Sequence, residues 1–227
     1  MQDPVFVQDA FAKIARRYVI TNHVLSMGTD ILWRRKVARL VCELGPKKLL
    51  DLATGSGDLA AEIAKKNPGI QITGADFSAP MLDVARARQV PGLDLIQADA
   101  MNLPFSDGAY DAVTAAFGLR NMASWPEAVQ EMARVTRPGG SLIILDFSLP
   151  RARMLRGPYR FYLHRVMPTV AGWITGQRAA YDYLGGSIEK FPSGPAMCEL
   201  LNANGWSAAR AIPVSFGIAS IYVARRP

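Results

Sequence analysis

Hydrophobic and polar positions follow two regimes along the chain. Short, nearly unbroken apolar runs at residues 49–52, 70–75, 93–98, 112–117 and 141–147 predict strands buried on both faces. Between them, apolar residues recur at helical spacing over 59–66, over 125–135, and after Ser78 at Met81, Leu82, Val84 and Ala85. Strands alternating with helices predict an α/β fold with a doubly wound, mostly parallel sheet. Two final strands, 207–214 and 217–224, are separated by only a short turn and predict an antiparallel pair at one edge, making seven strands. Residues 137–140, Arg-Pro-Gly-Gly, read as a turn before the fifth strand.

The ends of the chain carry additions. Residues 9–44 read as helices, the first with Phe11, Ile14, Ala15 and Tyr18 on one face. The second is expected to be capped by Thr29 or Asp30, to bury Leu32, Trp33, Val37, Leu40 and Val41, and to stop at Gly45-Pro46. Its arginines and lysine, Arg34, Arg35, Lys36 and Arg39, read as a solvated basic face or a partner surface. The expected organisation is one domain: a helical cap (1–45), a core (46–150), a helical insertion (151–192), and a closing helix with the last strands (193–227).

Candidate chemistry centres on residues 49–58. The first strand runs into Gly55 and Gly57 and then into a helix, so a ligand can approach the backbone with no Cβ in the way. The spacing Gly55-x-Gly57-x-x-Ala60 also satisfies a dinucleotide fingerprint. Two carboxylates lean the other way. Asp51 ends the strand and Asp58 follows the second glycine, and both would repel a pyrophosphate. S-adenosylmethionine, with a sulfonium and an ammonium and no phosphate, suits an acid-flanked loop better. Asp76, ending the second strand, can take both ribose hydroxyls of an adenosine. Asp99 could accept the adenine amine beside the Ala100 amide. Arg120 and Asn121 follow the fourth strand, where ligands gather in an open parallel sheet.

Composition narrows the class. A chain of 227 residues is ample for one α/β core, and its net charge of +7 admits nucleic acid, an anionic membrane surface or an acidic ligand. The two cysteines, Cys42 and Cys198, form no disulfide framework and fit a reducing cytosol. The start, Met1-Gln2-Asp3-Pro4, lacks the pattern of a signal peptide, and no uncharged run reaches the ~20 residues of a membrane span. His23 and His164 read as structural, and no cluster has metal-ligand spacing, so no metal is expected. Residues 151–178 hold six arginines and no acid among Phe161, Tyr162, Leu163, Val166, Met167, Val170, Trp173 and Ile174. This amphipathic, aromatic segment suits an anionic bilayer surface; a packed lid or a homodimer contact is the plainer use.

The ordered motifs resemble those of class I S-adenosylmethionine methyltransferases. They are the 51–58 loop, Ala75-Asp76, Ala98-Asp99-Ala100 with Leu103-Pro104-Phe105, and Arg137-Pro138-Gly139-Gly140. Outside that common core, three further marks are similar to the ubiquinone/menaquinone biosynthesis C-methyltransferases. These are Tyr18-x-x-x-Asn22-x-x-x-Ser26-x-Gly28 with Trp33, residues 117–121 (Phe-Gly-Leu-Arg-Asn), and Tyr181-x-Tyr183-Leu184-x-x-Ser187-Ile188-x-x-Phe191-Pro192. The resemblance implies C-methylation of a prenylated quinol, demethylmenaquinol first and a ubiquinone precursor second. It assigns Asp51, Thr54, Gly55, Ser56, Gly57, Asp76, Phe77, Met81, Asp99, Ala100, Ala116 and Phe117 to the cofactor. For such a reaction Arg120, a fixed charged fork, is the candidate to stabilise a phenolate or to hold a water that acts as base, with Asn121 orienting the hydroxyl or that water and Tyr18 closing over them from the cap. Three positions depart from the family pattern: Val19 for Asp, Ala116 for Ser and Gly185 for Pro. The implied location is the cytoplasmic face of a membrane. The rivals are a methyltransferase of another phenol, an NAD-dependent oxidoreductase on loop spacing, and a nucleic-acid module on charge, for which no binding motif is present.

Overall fold

A computed structural model describes residues 26, 28–150, 152–175 and 178–227. The elements in order are α1 (Thr29–Leu44), β1 (Lys48–Leu52), α2 (Asp58–Lys66), β2 (Gln71–Asp76), α3 (Ala79–Arg86), β3 (Leu93–Gln97) and β4 (Tyr110–Ala116). After a short 3-10 turn, Leu119–Asn121, come α4 (Trp125–Val135) and β5 (Thr136–Phe147). The insertion is α5 (Arg153–Phe161), a π-helical stretch (Tyr162–Val166), α6 (Met167–Thr175) and α7 (Arg178–Lys190). The chain closes with α8 (Pro195–Ala203), β6 (Ser207–Val214) and β7 (Ala219–Arg225).

The sheet has seven strands in the order β3-β2-β1-β4-β5-β7-β6. β1 to β5 pair in parallel, and β7 runs antiparallel between β5 and the edge strand β6. Period-two alternation divides the buried residues between the two faces. Leu50, Leu52, Val113, Ala115, Leu142 and Ile144 meet α4 and α8 through Val129, Met132, Met197 and Leu201. Leu49, Ile72, Ala112, Ile143 and Leu145 meet α1 and α2 through Trp33, Val37, Val41, Leu59 and Ile63. Strands covered on both faces need apolar residues at every position, which explains the unbroken runs.

Three local expectations change. Residues 137–140 lie inside β5, not in a separate turn. Gly139 takes φ +73°, its N–H donates to the Arg226 carbonyl (3.0 Å), and Arg226 N–H donates to the Gly140 carbonyl (2.9 Å), so the C-terminal end of the chain satisfies the kink. Helix α1 is led by Gly28 in the left-handed region, not by a side-chain cap from Thr29 or Asp30. Thr29 donates back to the Ser26 carbonyl (2.6 Å), and Asp30 turns inward to Arg34. Leu32 is exposed; the buried stripe of α1 is Asp30, Trp33, Arg34, Val37, Ala38 and Val41. The first predicted helix, with Tyr18 and Val19, lies outside the described residues.

The insertion packs on the carboxyl end of β5. Tyr159, Leu163 and Met167, one turn apart, bury with Ile188 against Phe147, Leu149 and Ile218. Among the described residues, no helix is long and apolar enough to cross a membrane.

Candidate active site

The strand order reverses between β1 and β4, and a cleft opens at their carboxyl ends. Two non-glycine residues take left-handed backbone there: Ala53 (φ +53°) after β1 and Phe117 (φ +60°) after β4. The two turns touch through backbone. A Cβ on Gly118 would lie 2.3 Å from that of Ala53, so only glycine fits at 118. The glycine loop is equally constrained. Gly57 (φ +75°) donates to the Thr54 carbonyl at 2.9 Å, and Thr54 N–H donates to the Ala75 carbonyl at 3.1 Å.

Three carboxylates border the cleft from successive strand ends. Asp51 is buried; the Thr54 and Thr114 hydroxyls each donate to it at 2.7 Å. Burial pushes its carboxyl up to about 6, against the pull of the two threonines and of Arg34. Asp76 accepts the Gly55 N–H (2.7 Å) and the Ser78 N–H (2.9 Å), one on each oxygen, with the Phe77 amide as a third backbone donor. Burial raises its carboxyl too, opposed by those amides. Asp99 accepts the Met101 N–H at 3.0 Å and lines the cleft with Ala98 and Ala100. Asp58 is different. It takes the Ser56 hydroxyl (2.7 Å) and an ion pair from Arg88 (2.6 Å), so its charge is largely answered within the protein.

The structure brings together every candidate cofactor residue except Gly57. Asp51, Thr54, Gly55, Ser56, Asp76, Phe77, Met81, Asp99, Ala100, Ala116 and Phe117 line one cleft. Gly57 shapes the turn behind it, where an added Cβ would meet that of Ala85 at 3.4 Å. Phe77 stands 47% exposed beside Asp76, a free aromatic face at the rim. Met81 closes on the loop: a Cβ on Gly55 would come within 3.3 Å of its terminal carbon.

The acceptor-side residues fall out differently. Asn121 lines the cleft; its amide donates weakly to the Phe117 carbonyl (3.4 Å), and its buried carbonyl oxygen meets no donor among the described residues. Arg120 is not at the mouth. It is 2% exposed, and its Nη1 donates to Asp146 Oδ1 (2.8 Å) and to the Phe117 carbonyl (2.6 Å). The 3-10 turn sends successive side chains in different directions, and Asp146, near the end of β5, captures the guanidinium inside the fold. Arg120 CZ also lies 5.2 Å from the centre of the Phe147 ring.

Two polar lining residues escaped the sequence reading. Ser78 reads there only as a helix start, yet its hydroxyl caps nothing, is buried in the cleft wall and has no partner among the described residues. Arg34 reads there as part of a solvated basic face or a partner surface; it is 8% exposed and lines the cleft. The missed signal was the pair Asp30 and Arg34, opposite charges four apart on the same stripe as Val37 and Val41.

The donor set fits S-adenosylmethionine. Asp76 keeps acceptor capacity for a ribose hydroxyl, Gly55 keeps the loop open to a ligand, and the charged groups of the lining are four carboxylates against one arginine, which suits a sulfonium and an ammonium. No lysine and only one arginine, Arg34, line the cleft among the described residues, a poor match for a pyrophosphate.

Comparison with known proteins agrees. The chain is similar to the demethylmenaquinone methyltransferase of Thermus thermophilus, with 44% identity over 220 residues covering 96% of this chain and 100% of that protein. The Deinococcus radiodurans demethylmenaquinone methyltransferase is 39% identical over 221 residues, 96% of this chain and 91% of that protein. Among solved structures, an SAM-dependent methyltransferase from Thermotoga maritima superposes with a TM-score of 0.70 at 16% identity, covering 97% of this chain and 100% of that one. The CurJ carbon methyltransferase gives 0.68 at 16% identity over 99% of this chain and 61% of that one, a likeness of fold. A model of the ubiE/COQ5 methyltransferase family matches residues 2–226, and with relatives this similar over nearly their whole length, the chain belongs to that family.

Proposed function

We propose that this protein is an S-adenosylmethionine-dependent C-methyltransferase acting on a prenylated quinol, converting demethylmenaquinol to menaquinol. The observation that carries the reading is the near-full-length similarity to demethylmenaquinone methyltransferases. When bound, S-adenosylmethionine supplies a methyl carbon made electrophilic by the sulfonium. In this reading the core 46–150 holds the cofactor: Asp76 binds the ribose hydroxyls, Asp99 and Ala100 meet the adenine, and Phe77 covers one face of it. Asp51, ionised above about pH 6, faces the amino-acid end with Thr54, Gly55 and Ser56.

The acceptor's ring carbon becomes nucleophilic as the neighbouring hydroxyl loses its proton. Alignment and a dry site favour that step. Asn121 orients the hydroxyl, or a water beside it, through its buried carbonyl oxygen. Arg120 acts as a positioning residue: it holds the Phe117 carbonyl, and Phe117 with its neighbours Trp33 and Phe147 forms the apolar wall. Tyr18, from the cap, is proposed to close the site.

The tail calls for apolar surroundings, and the outer face of the insertion supports contact with the cytoplasmic side of a membrane. Met154 and Phe161 are 82% and 65% exposed, with Arg153, Arg156, Arg160 and Arg165 around them. Substituting Met154 and Phe161 by serine is expected to cut co-sedimentation with anionic vesicles; unchanged binding would remove the membrane role. A dimer mass in solution, lost in the same variant, would instead make this face a contact between two copies.

The direct test is transfer of label from S-adenosylmethionine to a short-tailed, reduced demethylmenaquinol, beside a 2-methoxy-6-prenyl-1,4-benzoquinol. Label in the naphthoquinol is expected, and label in both would establish a bifunctional enzyme. Binding of S-adenosylmethionine without transfer to either quinol would overturn the acceptor, and tight NAD binding in its place would overturn the enzyme class.

A further inference from the structure

The cleft contains a cation that the reaction, as derived above, leaves unused. Arg34 projects from α1 into a largely apolar lining whose other charged groups are carboxylates, and among the described residues it is the lining's only lysine or arginine. Its guanidinium is held on two sides. Asp30, one helical turn earlier and itself buried, takes Nη1, and the Ser26 hydroxyl donates to the other Asp30 oxygen at 2.5 Å. The Phe117 ring lies beneath, with its centre 5.2 Å from Arg34 CZ. A guanidinium has five N–H donors in a rigid fork, and one nitrogen serves Asp30. The rest of the fork makes no hydrogen bond to a described residue.

Position completes the case. Arg34 and Asp51 line the same cleft and no hydrogen bond joins them, yet the arginine pulls the Asp51 carboxyl downward, so the two charges lie within electrostatic reach. A fixed cation and a fixed anion facing one cavity without touching form a receptor for a zwitterion. An α-amino acid presents that pattern, an ammonium for Asp51 and a carboxylate for a guanidinium fork. We propose that Arg34 anchors the α-carboxylate of the cofactor's amino-acid end, which makes helix α1 part of the cofactor site and not only a cap. This inference rests on the cofactor assigned above. It also gives the Asp30–Arg34 pair a reason to be buried: the pair pre-sets the fork, so little side-chain freedom is lost when the carboxylate arrives.

The test is equilibrium binding, read by calorimetry and independent of turnover. S-adenosylhomocysteine is compared with its decarboxylated counterpart, which keeps the ammonium and lacks the carboxylate. The parent protein is expected to prefer S-adenosylhomocysteine by about tenfold or more, the scale of a charge-assisted hydrogen bond. In Arg34→Met that preference should shrink to within about threefold, through weaker S-adenosylhomocysteine and little change in the decarboxylated ligand. Arg34→Gln, which keeps polar donors without the charge, serves as the second variant if the methionine form does not fold. Three results would overturn the inference. They are a parent with no preference, a folded variant that keeps the preference, and a folded variant that loses both ligands equally, which would limit Arg34 to holding the wall. A parent that binds neither ligand would instead sink the methyltransferase reading. If the retained preference came with a raised KM for the quinol alone, Arg34 would belong to the acceptor side.

Discussion

The two sides of the cleft are built in different ways. The cofactor side consists of the ends of β1, β2 and β3, and each contributes an acid and its neighbours from one contiguous stretch: residues 51–58, 76–81 and 98–101. The proposed acceptor side is the turn after β4, backed from inside the fold by the end of β5, on which the insertion also packs; these segments are far apart in the chain. On the first side most polar groups answer to backbone amides or hydroxyls a few residues away or on the next strand, as Asp76 does to Gly55 and Ser78, the Asp58–Arg88 pair being the exception. On the second side charges answer to charges across the fold, as Arg120 does to Asp146. A site of the first kind tolerates change in the rest of the domain. A site of the second kind ties chemistry to stability.

The largest effect should come from breaking that tie. Arg120→Met leaves Asp146 buried without its cation and is expected to cost about 3–5 kcal/mol of stability, measured by denaturant unfolding. Pairing it with Asp146→Leu should return about half or more of the loss, because an apolar pair avoids desolvating two charges. Turnover of the double variant should remain about tenfold or more down, with little change in KM for the cofactor, since the Phe117 carbonyl still lacks its donor. Full recovery of turnover would reduce Arg120 to a stabilising role and erase the contrast between the two sides.

A mid-sized effect concerns Asp51 and pH. Its carboxyl sits at about 6 in the fold, above the ordinary 3.8, because burial disfavours the charge. Between those values the folded state holds more proton than the unfolded, so this group's contribution to stability falls as pH rises through the window and levels off above it. Subtracting Asp51→Asn from the parent should leave a slope of up to about 1.4 kcal/mol per pH unit there. Binding should run the opposite way. S-adenosylhomocysteine affinity in the parent should weaken below about pH 6 as the carboxylate protonates, whereas the Asn variant should bind weakly and without that dependence. A pH-independent parent would detach Asp51 from the ligand's ammonium.

The smallest effect lies on the border between the two sides. Ala116 ends β4 in the cleft wall. Ala116→Ser should tighten S-adenosylhomocysteine by about two- to tenfold, the worth of one added hydrogen bond, without moving KM for the quinol. Weaker binding would mean that the wall here is closed to a hydroxyl.

Much of the core and most of the cofactor side were legible in the amino-acid order because their causes are local. Strands covered on both faces must be apolar throughout, so β1, β2, β4 and β5 stand out as runs such as Leu49–Leu50 and Ile143–Ile144–Leu145. A glycine turn needs left-handed backbone and room, so Gly55 and Gly57 announce it. An acid at a strand's carboxyl end keeps its place whatever the helices do. Other features depended on long-range contacts that no window of sequence contains. Gly139 and Gly140 belong to a strand because residues at the far end of the chain pair with them. Arg120 turns inward because Asp146, from the next strand, is waiting in the interior. Arg34 faces the cleft and not the solvent because α1 lays its Asp30–Arg34 stripe over Phe117. A buried charge is placed by its partner, and the partner's position is a property of the folded chain.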